Sequence, residues 1–330
     1  MSNNVLVTGG AGFIGSHLVE KLVKKKLKVI VFDNLSSGKI KNLKNIINNI
    51  QYYNVDISNF ANIEKIFKKH KFNCIFHLAG KADIVPSIVN PKEYFKTNVL
   101  GTFNIVELAK KYNIKKIIYT ASSTCYGIPD KYPTSEINKL SPQYPYALTK
   151  KIGEDLVIHY GKVYKMTCVS LRLFNVYGTR SRSGSTYGAV LGVFLSQKIN
   201  NYPLTIVGNG KQTRDFTYVS DIVDAIYTIY KSKKKLVDIF NVGSGKTISV
   251  MRLAKKISNK FIFIPKRPGE PDKTFANIKK IKKIYNWKPK VTLDKGMKII
   301  LSNLREWDNT KLWRKNEIAK ATKDWFKYLK

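Results

Sequence analysis

A tyrosine and a lysine four residues apart, Tyr146 and Lys150, have a spacing that suits acid–base chemistry. Pro145 favours the first turn of a helix, and positions i and i+4 lie on one helix face. A tyrosine titrates at about pH 10, so using it as a base at pH 7 requires about 4 kcal/mol of preferential stabilisation of the phenolate. A neighbouring cation supplies that kind of stabilisation. Such pairs are common on ordinary helices, so this one gains meaning only from the rest of the chain.

A glycine-rich turn near the N-terminus indicates a dinucleotide site. Residues 4–8 form a short apolar strand pattern, and a helix pattern covers residues 16–25. Between them, glycines permit a tight turn and let backbone N–H groups approach a pyrophosphate at the helix N-terminus. The residues expected to contact the cofactor here are Gly9, Gly12, Phe13, Ile14 and Gly15.

The end of the next strand pattern favours NAD over NADP. Residues 28–32 are apolar and lead to Asp33. Its carboxylate can accept hydrogen bonds from the adenosine ribose and would repel a 2′-phosphate. Asn34 follows, with no arginine to bind such a phosphate. We therefore expect NAD, held partly by Asp33 and Asn34.

Later strand ends add further cofactor candidates. Residues 52–55 close on Asp56, which we expect near the adenine together with Ile57. The strand pattern at residues 73–78 leads through Leu78 to Ala79, where small residues would let the backbone lie against the cofactor. Asn98 opens the following long helix.

Alternating apolar strand patterns and amphipathic helices predict an α/β fold of the Rossmann type, with a doubly wound parallel sheet. Ligands then bind beyond the carboxyl ends of the strands. We divide the chain into a dinucleotide-binding domain, residues 1–170, and a smaller irregular substrate lobe, residues 171–330, interleaved at the boundary. In the second part, residues 180–188 form a Gly/Ser-rich loop and residues 208–210 suit a hairpin turn.

The composition indicates a folded, strongly basic protein. Hydrophobic residues make up 43%, which excludes a disordered chain. Lys and Arg number 59 against 22 Asp and Glu, giving a formal net charge of +37. A nucleic-acid-binding protein would gather its lysines into a stripe or tail, whereas here they are scattered in short runs such as residues 24–26 and 233–235. We therefore expect a solvated basic surface and no nucleic-acid partner.

The three cysteines, Cys74, Cys125 and Cys168, are odd in number and far apart. This spacing indicates neither a disulfide framework nor a zinc site. No apolar run reaches the length of about 18 residues that a membrane span requires, and no secretory leader is apparent. We expect a cytoplasmic protein without metal or membrane association.

Taken together, these motifs resemble those of the extended short-chain dehydrogenases/reductases that act as nucleotide-sugar epimerases and dehydratases. The similarity covers essentially the whole chain, and it is greatest to the UDP-glucose and UDP-N-acetylglucosamine 4-epimerases. The motifs that carry it are Thr8-Gly9-Gly10-Ala11-Gly12-Phe13-Ile14-Gly15, Asp33-Asn34, Asp56, Asn98, Ser122, Tyr146 with Lys150, Phe174-Asn175, Arg214-Asp215 and Arg267-Pro268-Gly269-Glu270.

The resemblance implies roles for three catalytic residues. Tyr146 would take the proton from the sugar 4-hydroxyl, and Lys150 would lower the pKa of the tyrosine and hold the nicotinamide ribose. Ser122 would hydrogen-bond the reacting oxygen, although a turn hydroxyl capping its own loop is the alternative. The implied reaction is NAD-dependent epimerisation at C4 through a transient 4-keto sugar.

Two hydroxyl residues separate this reaction from a related one. The 4,6-dehydratases of the family carry Thr-Asp-Glu where this chain has Ser122, Ser123 and Thr124. Elimination of water needs a general acid and a base, and hydroxyls of ordinary pKa do this poorly. The related decarboxylases keep a glutamate at the position of Thr124. The sequence therefore favours an epimerase, with Ser123 and Thr124 beside the substrate.

The resemblance also implies a substrate site. Arg214 and Arg267 would clamp the diphosphate, for which guanidinium groups are suited, and Asn175 would contact the sugar or the diphosphate. Glu270 stands where the 4-epimerases usually have Asp, near the nucleoside ribose. This difference leaves the identity of the nucleotide base open. Thr274 takes the position that guards the sugar pocket. Because threonine is small, N-acetylhexosamines would fit as well as hexoses, and a hexuronate stays an open alternative.

Three hypotheses follow. The first is a 4-epimerase of a nucleotide sugar, with UDP as the expected nucleotide, that serves carbohydrate metabolism such as polysaccharide biosynthesis. The second is another nucleotide-sugar reaction on the same scaffold: a 4,6-dehydratase, a decarboxylase or a 4-dehydrogenase. The third is a non-enzymatic RNA-binding member, which the joint presence of Ser122, Tyr146 and Lys150 disfavours. The family also implies a homodimer formed through residues 93–112 and 146–164.

Overall fold

The computed structural model describes residues 4–181, 189–307 and 310–329, so most of the expected loop 180–188 lies outside the described residues. The strands are β1 (Asn4–Thr8), β2 (Lys28–Phe32), β3 (Ile50–Tyr53), β4 (Cys74–His77), β5 (Lys116–Ser122), β6 (Thr167–Leu173), β7 (Val176–Tyr177), β8 (Leu204–Val207), β9 (Thr213–Arg214), β10 (Thr217–Tyr218), β11 (Val237–Val242), β12 (Ile248–Ser249) and β13 (Phe261–Ile264).

The α-helices are α1 (Phe13–Lys24), α2 (Phe60–Phe67), α3 (Ile84–Val89), α4 (Pro91–Tyr94), α5 (Gly101–Lys111), α6 (Pro145–Val163), α7 (Val190–Ile199), α8 (Val219–Lys231), α9 (Val250–Lys255), α10 (Lys279–Tyr285), α11 (Leu293–Ser302), α12 (Lys315–Ala321) and α13 (Lys323–Tyr328). A π-helical turn, Phe95–Leu100, joins α4 to α5, and 3₁₀ turns occur at Ile40–Asn49, Ser123–Tyr126 and Leu304–Trp307.

Seven strands form one parallel sheet in the order β3-β2-β1-β4-β5-β6-β11. The predicted doubly wound parallel sheet is thereby confirmed. Strands β1 and β2 occupy the residues that their apolar patterns indicated. Both faces of the sheet are covered by helices, which explains why these strands read as continuous apolar runs.

Alternate strand residues supply two separate cores. Val5 and Val7 of β1 pack on one face with helices α1 and α8, whereas Leu6 packs on the other face with helices α2 and α5. This follows from the two-residue period of a strand. Because both faces of the sheet are packed, the carboxyl ends of its strands are fixed in position.

The second lobe is built from short strand pairs. Strand β8 pairs in parallel with β13, and β9 pairs antiparallel with β12. The predicted hairpin at residues 208–210 is therefore wrong. Gly208 and Gly210 do adopt positive φ angles of 57° and 72°, but the chain continues into β9 because β13 pairs with β8.

The two halves of the chain interleave. Strand β6 runs across residue 170, and β11, from the second half, completes the sheet beside it. Helix α8 packs on α1 through the apolar cluster that includes Leu22 and Ile226. The division at residue 170 stays a proposal about chain organisation, with residues 219–242 packed on the first part.

Two sequence-based expectations concern features that the described residues do not contain. None of their helices has both the length and the apolar character that crossing a bilayer would require. Within the same residues, no cluster of three or more His, Cys, Asp or Glu side chains could hold a metal ion. The three cysteines are buried free thiols.

Candidate functional site

A cavity of about 530 Å³ extends from the carboxyl ends of the sheet strands to the second lobe. It is lined by nearly all of the site residues that were predicted from the sequence. They are Gly9, Gly12, Phe13, Ile14, Gly15, Asp33, Asn34, Asp56, Ile57, Leu78, Ala79, Ser122, Ser123, Thr124, Tyr146, Lys150, Asn175, Arg214, Arg267, Glu270 and Thr274.

The glycine turn has the shape of a cradle for an anion. Gly9 has a φ of 72°, and a Cβ there would lie 2.7 Å from the backbone nitrogen of Ala79. A Cβ on Gly15 would lie 2.0 Å from the carbonyl oxygen of Gly9. Helix α1 begins after Gly12, and no side chain of the described residues caps it. Its first-turn N–H groups, with the helix dipole, therefore suit a pyrophosphate.

Asp33 joins the glycine turn to the loop that follows β2. One carboxylate oxygen accepts a hydrogen bond from the N–H of Ala11, and the other accepts one from the N–H of Leu35, both at 2.9 Å. A Cβ at Gly38 would approach Asp33 Oδ1 to 2.8 Å. Asp33 is thus held rigidly at the cavity wall, a position compatible with the expected ribose contact.

Asn98 is the exception among the predicted residues, because it does not line the cavity. Its Oδ1 accepts from the N–H of Lys81 at 2.8 Å, and its Nδ2 donates to Lys81 O and to Thr149 Oγ1, both at 3.0 Å. It is only 1% exposed and lies behind Gly80. These contacts place Asn98 behind the cavity wall, and its expected part in cofactor binding stays a prediction.

The candidate catalytic side chains come from two elements. Ser122 ends strand β5, and Tyr146 and Lys150 occupy the first turns of α6. The Oγ of Ser122 accepts a hydrogen bond of 2.8 Å from Thr124 Oγ1. The Nζ of Lys150 lies 4.4 Å from the ring centroid of Tyr119, a cation–π contact that holds the ammonium in place.

Burial controls the protonation of Tyr146. Removal from water raises the pKa of Tyr146 to about 12, and hydrogen bonds with Ser122 and Thr124 lower it only in part. Desolvation of the phenolate is the largest influence on this pKa. The role expected for Lys150, lowering the pKa of Tyr146, stays a prediction.

The same burial acts on Lys150 in the opposite sense. Desolvation lowers the pKa of Lys150 to about 8, against the opposing influence of Cys125 and Glu154. A buried ammonium loses its hydration shell, so its charged form becomes less favourable. Lys150 is therefore still largely protonated at pH 7, at a cost in stability.

The arginines at the other end of the cavity share one carboxylate. Arg214 Nη2 lies 2.8 Å from Glu270 Oε1, and Arg267 Nη1 lies 3.5 Å from Glu270 Oε2. Both guanidinium groups are mostly buried, with 8% and 12% of the side-chain area exposed. Two cations facing one anion leave net positive charge at this end, as an anionic ligand requires.

Thr274 is held by its neighbours at the sugar end. Its hydroxyl donates to Asn175 Oδ1 at 2.9 Å and accepts from the N–H of Asp215 at 3.2 Å. Asp215 is fully buried and accepts further hydrogen bonds from Ser244, Gly245 and Ala276. In the Arg214-Asp215 motif, the aspartate therefore fixes two other segments around the cavity, residues 244–245 and 274–276.

Several aromatic residues of the cavity wall were not predicted from the sequence. Among them are Tyr144, Trp313 and Trp325. Tyr144 directly precedes the Pro145 turn, so its proximity to Tyr146 was a usable signal. The two tryptophans belong to the C-terminal segment, and an isolated tryptophan in a sequence is indistinguishable from an ordinary core residue.

Comparison with known families and sequences gives consistent results. A family model described as GDP-mannose 4,6 dehydratase matches residues 6–300. A protein of Methanocaldococcus jannaschii described as a putative UDP-glucose 4-epimerase is 36% identical over 313 residues, which are 93% of this chain and 100% of that protein.

Solved structures of similar fold include two UDP-glucose 4-epimerases. The Thermotoga maritima enzyme, crystallised with UDP-glucose, has a TM-score of 0.87 and 33% identity, covering 92% of this chain and 99% of its own. The Thermus thermophilus enzyme, in complex with NAD, has a TM-score of 0.84 and 30% identity, with the same coverage.

Replacing Lys150 by Met should stabilise nucleotide-stripped protein. Below pH 8 the ammonium is charged in both the folded and unfolded chains, and burial penalises the folded one. Between pH 8 and 10.5 only the unfolded chain keeps the proton, so wild-type stability rises with pH. We expect a gain of about 2–3 kcal/mol at pH 7 that disappears toward pH 10.5, measured by urea unfolding across this range.

The matched control is Lys151→Met, which removes the exposed pair with Asp155. It should change stability by less than about 1 kcal/mol. A Lys150→Met gain that does not vary with pH would contradict the buried-charge explanation.

Proposed function

Because the chain belongs to the extended short-chain dehydrogenase/reductase family of the GDP-mannose 4,6-dehydratase type, we propose that it is an NAD-dependent 4-epimerase of a UDP-sugar. One observation carries this proposal: Ser122, Tyr146 and Lys150 line the same cavity as the glycine turn. The similar proteins named above, UDP-glucose 4-epimerases, support the same reaction.

The residues present fit NAD. The glycine turn, where Cβ atoms would collide with backbone, would hold the pyrophosphate. Asp33 would bind the adenosine ribose, Asp56 would lie near the adenine, and Lys150 would hold the nicotinamide ribose. When bound, NAD would supply reversible hydride transfer at C4 of the sugar.

Tyr146 is the proposed base for the sugar 4-hydroxyl, and Ser122 hydrogen-bonds the same oxygen. With a pKa of about 12, the phenol stays neutral at pH 7 among the chain's own groups. Proton transfer therefore depends on positive charge in the same pocket, supplied by the oxidised cofactor and by Lys150.

Ser123 and Thr124 favour epimerisation over the runner-up reactions. Both side chains line the cavity where a dehydratase needs an acid and a base. Thr124 instead donates a hydrogen bond to Ser122. A hydroxyl pair can orient the sugar oxygen but does not promote loss of water. Dehydration, decarboxylation and release of a keto sugar remain alternatives that the mass of the product distinguishes.

The substrate end of the cavity suits a nucleoside diphosphate. Arg214 and Arg267 would bind its phosphates in place of their shared partner Glu270, and Glu270 would then be free to reach the ribose. Asn175 would contact the sugar. The small side chain of Thr274 would leave space at C2 of the sugar, so that an acetamido group would fit.

The chain would work as a homodimer. Large apolar side chains are exposed on the segments expected at the interface, including Phe95 (39%), Leu100 (45%) and Phe103 (40%) before and in α5. Leu148 (40%) and Val163 (53%) are exposed on α6. Helices α5 and α6 pack side by side, so a second copy could complete a four-helix bundle.

We place the reaction in the cytoplasm, since three buried free thiols suit a reducing compartment. Interconversion of UDP-sugars there would supply sugar donors for carbohydrate metabolism, including polysaccharide biosynthesis.

Tyr146→Phe should retain NAD and lose activity, because the ring still fills its buried site while the transferable proton is gone. We expect turnover of UDP-glucose, followed by NMR, to fall about 10²–10⁴-fold. Tyr160→Phe is a suitable control, since Tyr160 lies on the same helix with its hydroxyl bonded to Glu107. Turnover by Tyr146→Phe at the wild-type rate would refute the assigned base.

Thr274→Tyr should narrow the substrate range. The larger ring would fill the space beside C2 of the sugar, so UDP-N-acetylglucosamine should lose at least about 10-fold more kcat/KM than UDP-glucose. Thr274→Ser keeps the hydroxyl that bonds Asn175 and should keep the wild-type ratio. An equal loss for both substrates in Thr274→Tyr would argue against this position as the selector.

Leu100→Glu combined with Leu148→Glu should produce monomers, because the two charges would be buried at the proposed interface. Sedimentation or light scattering should show half the wild-type mass. Ile137→Glu is the control, since Ile137 is 95% exposed in another region. A wild-type mass for the double variant would exclude this interface.

A further inference from the structure

The C-terminal segment, residues 310–329, lies beyond the 6–300 stretch that the family model matches. It contains helices α12 and α13 and two tryptophans, Trp313 and Trp325. Both are buried, with 5% and 2% of their surface exposed, and both line the cavity. The segment is therefore part of the cavity wall and not a peripheral tail.

Trp325 contacts the turn that carries Arg267. Its indole Nε1 donates a 2.7 Å hydrogen bond to the carbonyl oxygen of Pro268. The guanidinium carbon of Arg267 lies 5.5 Å from the ring centroid, within the range of a cation–π contact. One side chain thus fixes both the backbone of the turn and the arginine presented by it.

Trp325 also packs against residues of the nucleotide-binding part of the chain. Its ring centroid lies 6.0 Å from that of Tyr144, two residues before Tyr146. Helix α13 packs on α3, and Val85 of α3 shares an apolar cluster with Trp313 and Trp325. Trp325 therefore connects the catalytic helix with the 267–270 turn across the cavity.

The cation–π contact with Trp325 can hold Arg267 in a way that its ion pair with Glu270 cannot. Glu270 faces both Arg214 and Arg267, so an incoming diphosphate competes with it for both side chains. The indole ring competes with no phosphate and stays beside Arg267 when Glu270 is displaced. An arginine held in this way loses less side-chain entropy when it binds an anion.

We propose that Trp325 is a positioning residue that holds Arg267 in place for the diphosphate of the substrate. The proposal rests on the proposed function, in which Arg267 binds that diphosphate. Trp325 then acts on affinity for phosphates through the arginine and the Pro268 carbonyl, without contacting the reacting sugar carbon.

Two substitutions of Trp325, similar in bulk to each other, distinguish the effect of its aromatic ring from the effect of apolar packing. Trp325→Leu keeps an apolar side chain but removes the π face, whereas Trp325→Phe keeps a π face and loses the Nε1 donor. Dissociation constants of UDP and uridine are measured by calorimetry on NAD-loaded protein. We expect Trp325→Leu to weaken UDP binding about threefold to thirtyfold and uridine binding less than twofold. Trp325→Phe should recover much of the lost UDP affinity.

Trp307→Phe is the matched control, since Trp307 is buried in the second lobe, 1% exposed, and does not line the cavity. It should leave both affinities unchanged, and thermal melting verifies that each variant is folded. An unchanged UDP affinity in Trp325→Leu, or an equal loss for UDP and uridine, would overturn the proposal. If the wild-type chain itself does not bind UDP, the proposed function fails instead.

Discussion

Exclusion of water from Tyr146 and Lys150 is the constraint on which the rest of the site depends. The same burial moves the pKa of the phenol to about 12 and that of the ammonium to about 8. Each shift opposes the charged form, so the protein alone disfavours the ionised base. The site is therefore matched to a charged ligand, because charges interact most strongly where water is absent.

Helix α6 and strand β5 hold this pair in place from two sides. The side chain of Tyr119 on β5 lies under Lys150, and Thr149 on α6 bonds Asn98 behind the wall. A buried Glu154–Arg172 pair, also bonded to Tyr126, ties α6 to β6. Polar groups below the cavity floor are thus satisfied inside the protein, which leaves the groups facing the cavity available for ligands.

Local patterns allowed much of this to be predicted from sequence. Strands β1 and β2 were placed correctly because an apolar run flanked by a glycine turn or an acidic residue is a local signal. The gathering of the residues from Gly9 to Ser122 followed from one topological rule, that parallel strands present their carboxyl ends on the same side of the sheet. The residues of the second lobe, such as Arg214 and Thr274, were implied by the family resemblance, and they line the same cavity.

What could not be predicted depends on partners distant in sequence. Asn98 lies behind the wall because Lys81 and Thr149 use its amide. The pKa of Tyr146 depends on how much protein surrounds it, which spacing along a helix does not reveal. The position of Trp325 depends on its contacts with Pro268 and Tyr144.

The main sheet is complete at Val242. The chain leaves this sheet after Leu173 and returns at Val237 in the adjacent strand. Loops within residues 174–218 and after Val242 lie outside the sheet and can therefore diverge between relatives without altering strand register. New sugar preferences can thus evolve at positions such as Asn175 and Thr274 above a catalytic floor that does not change.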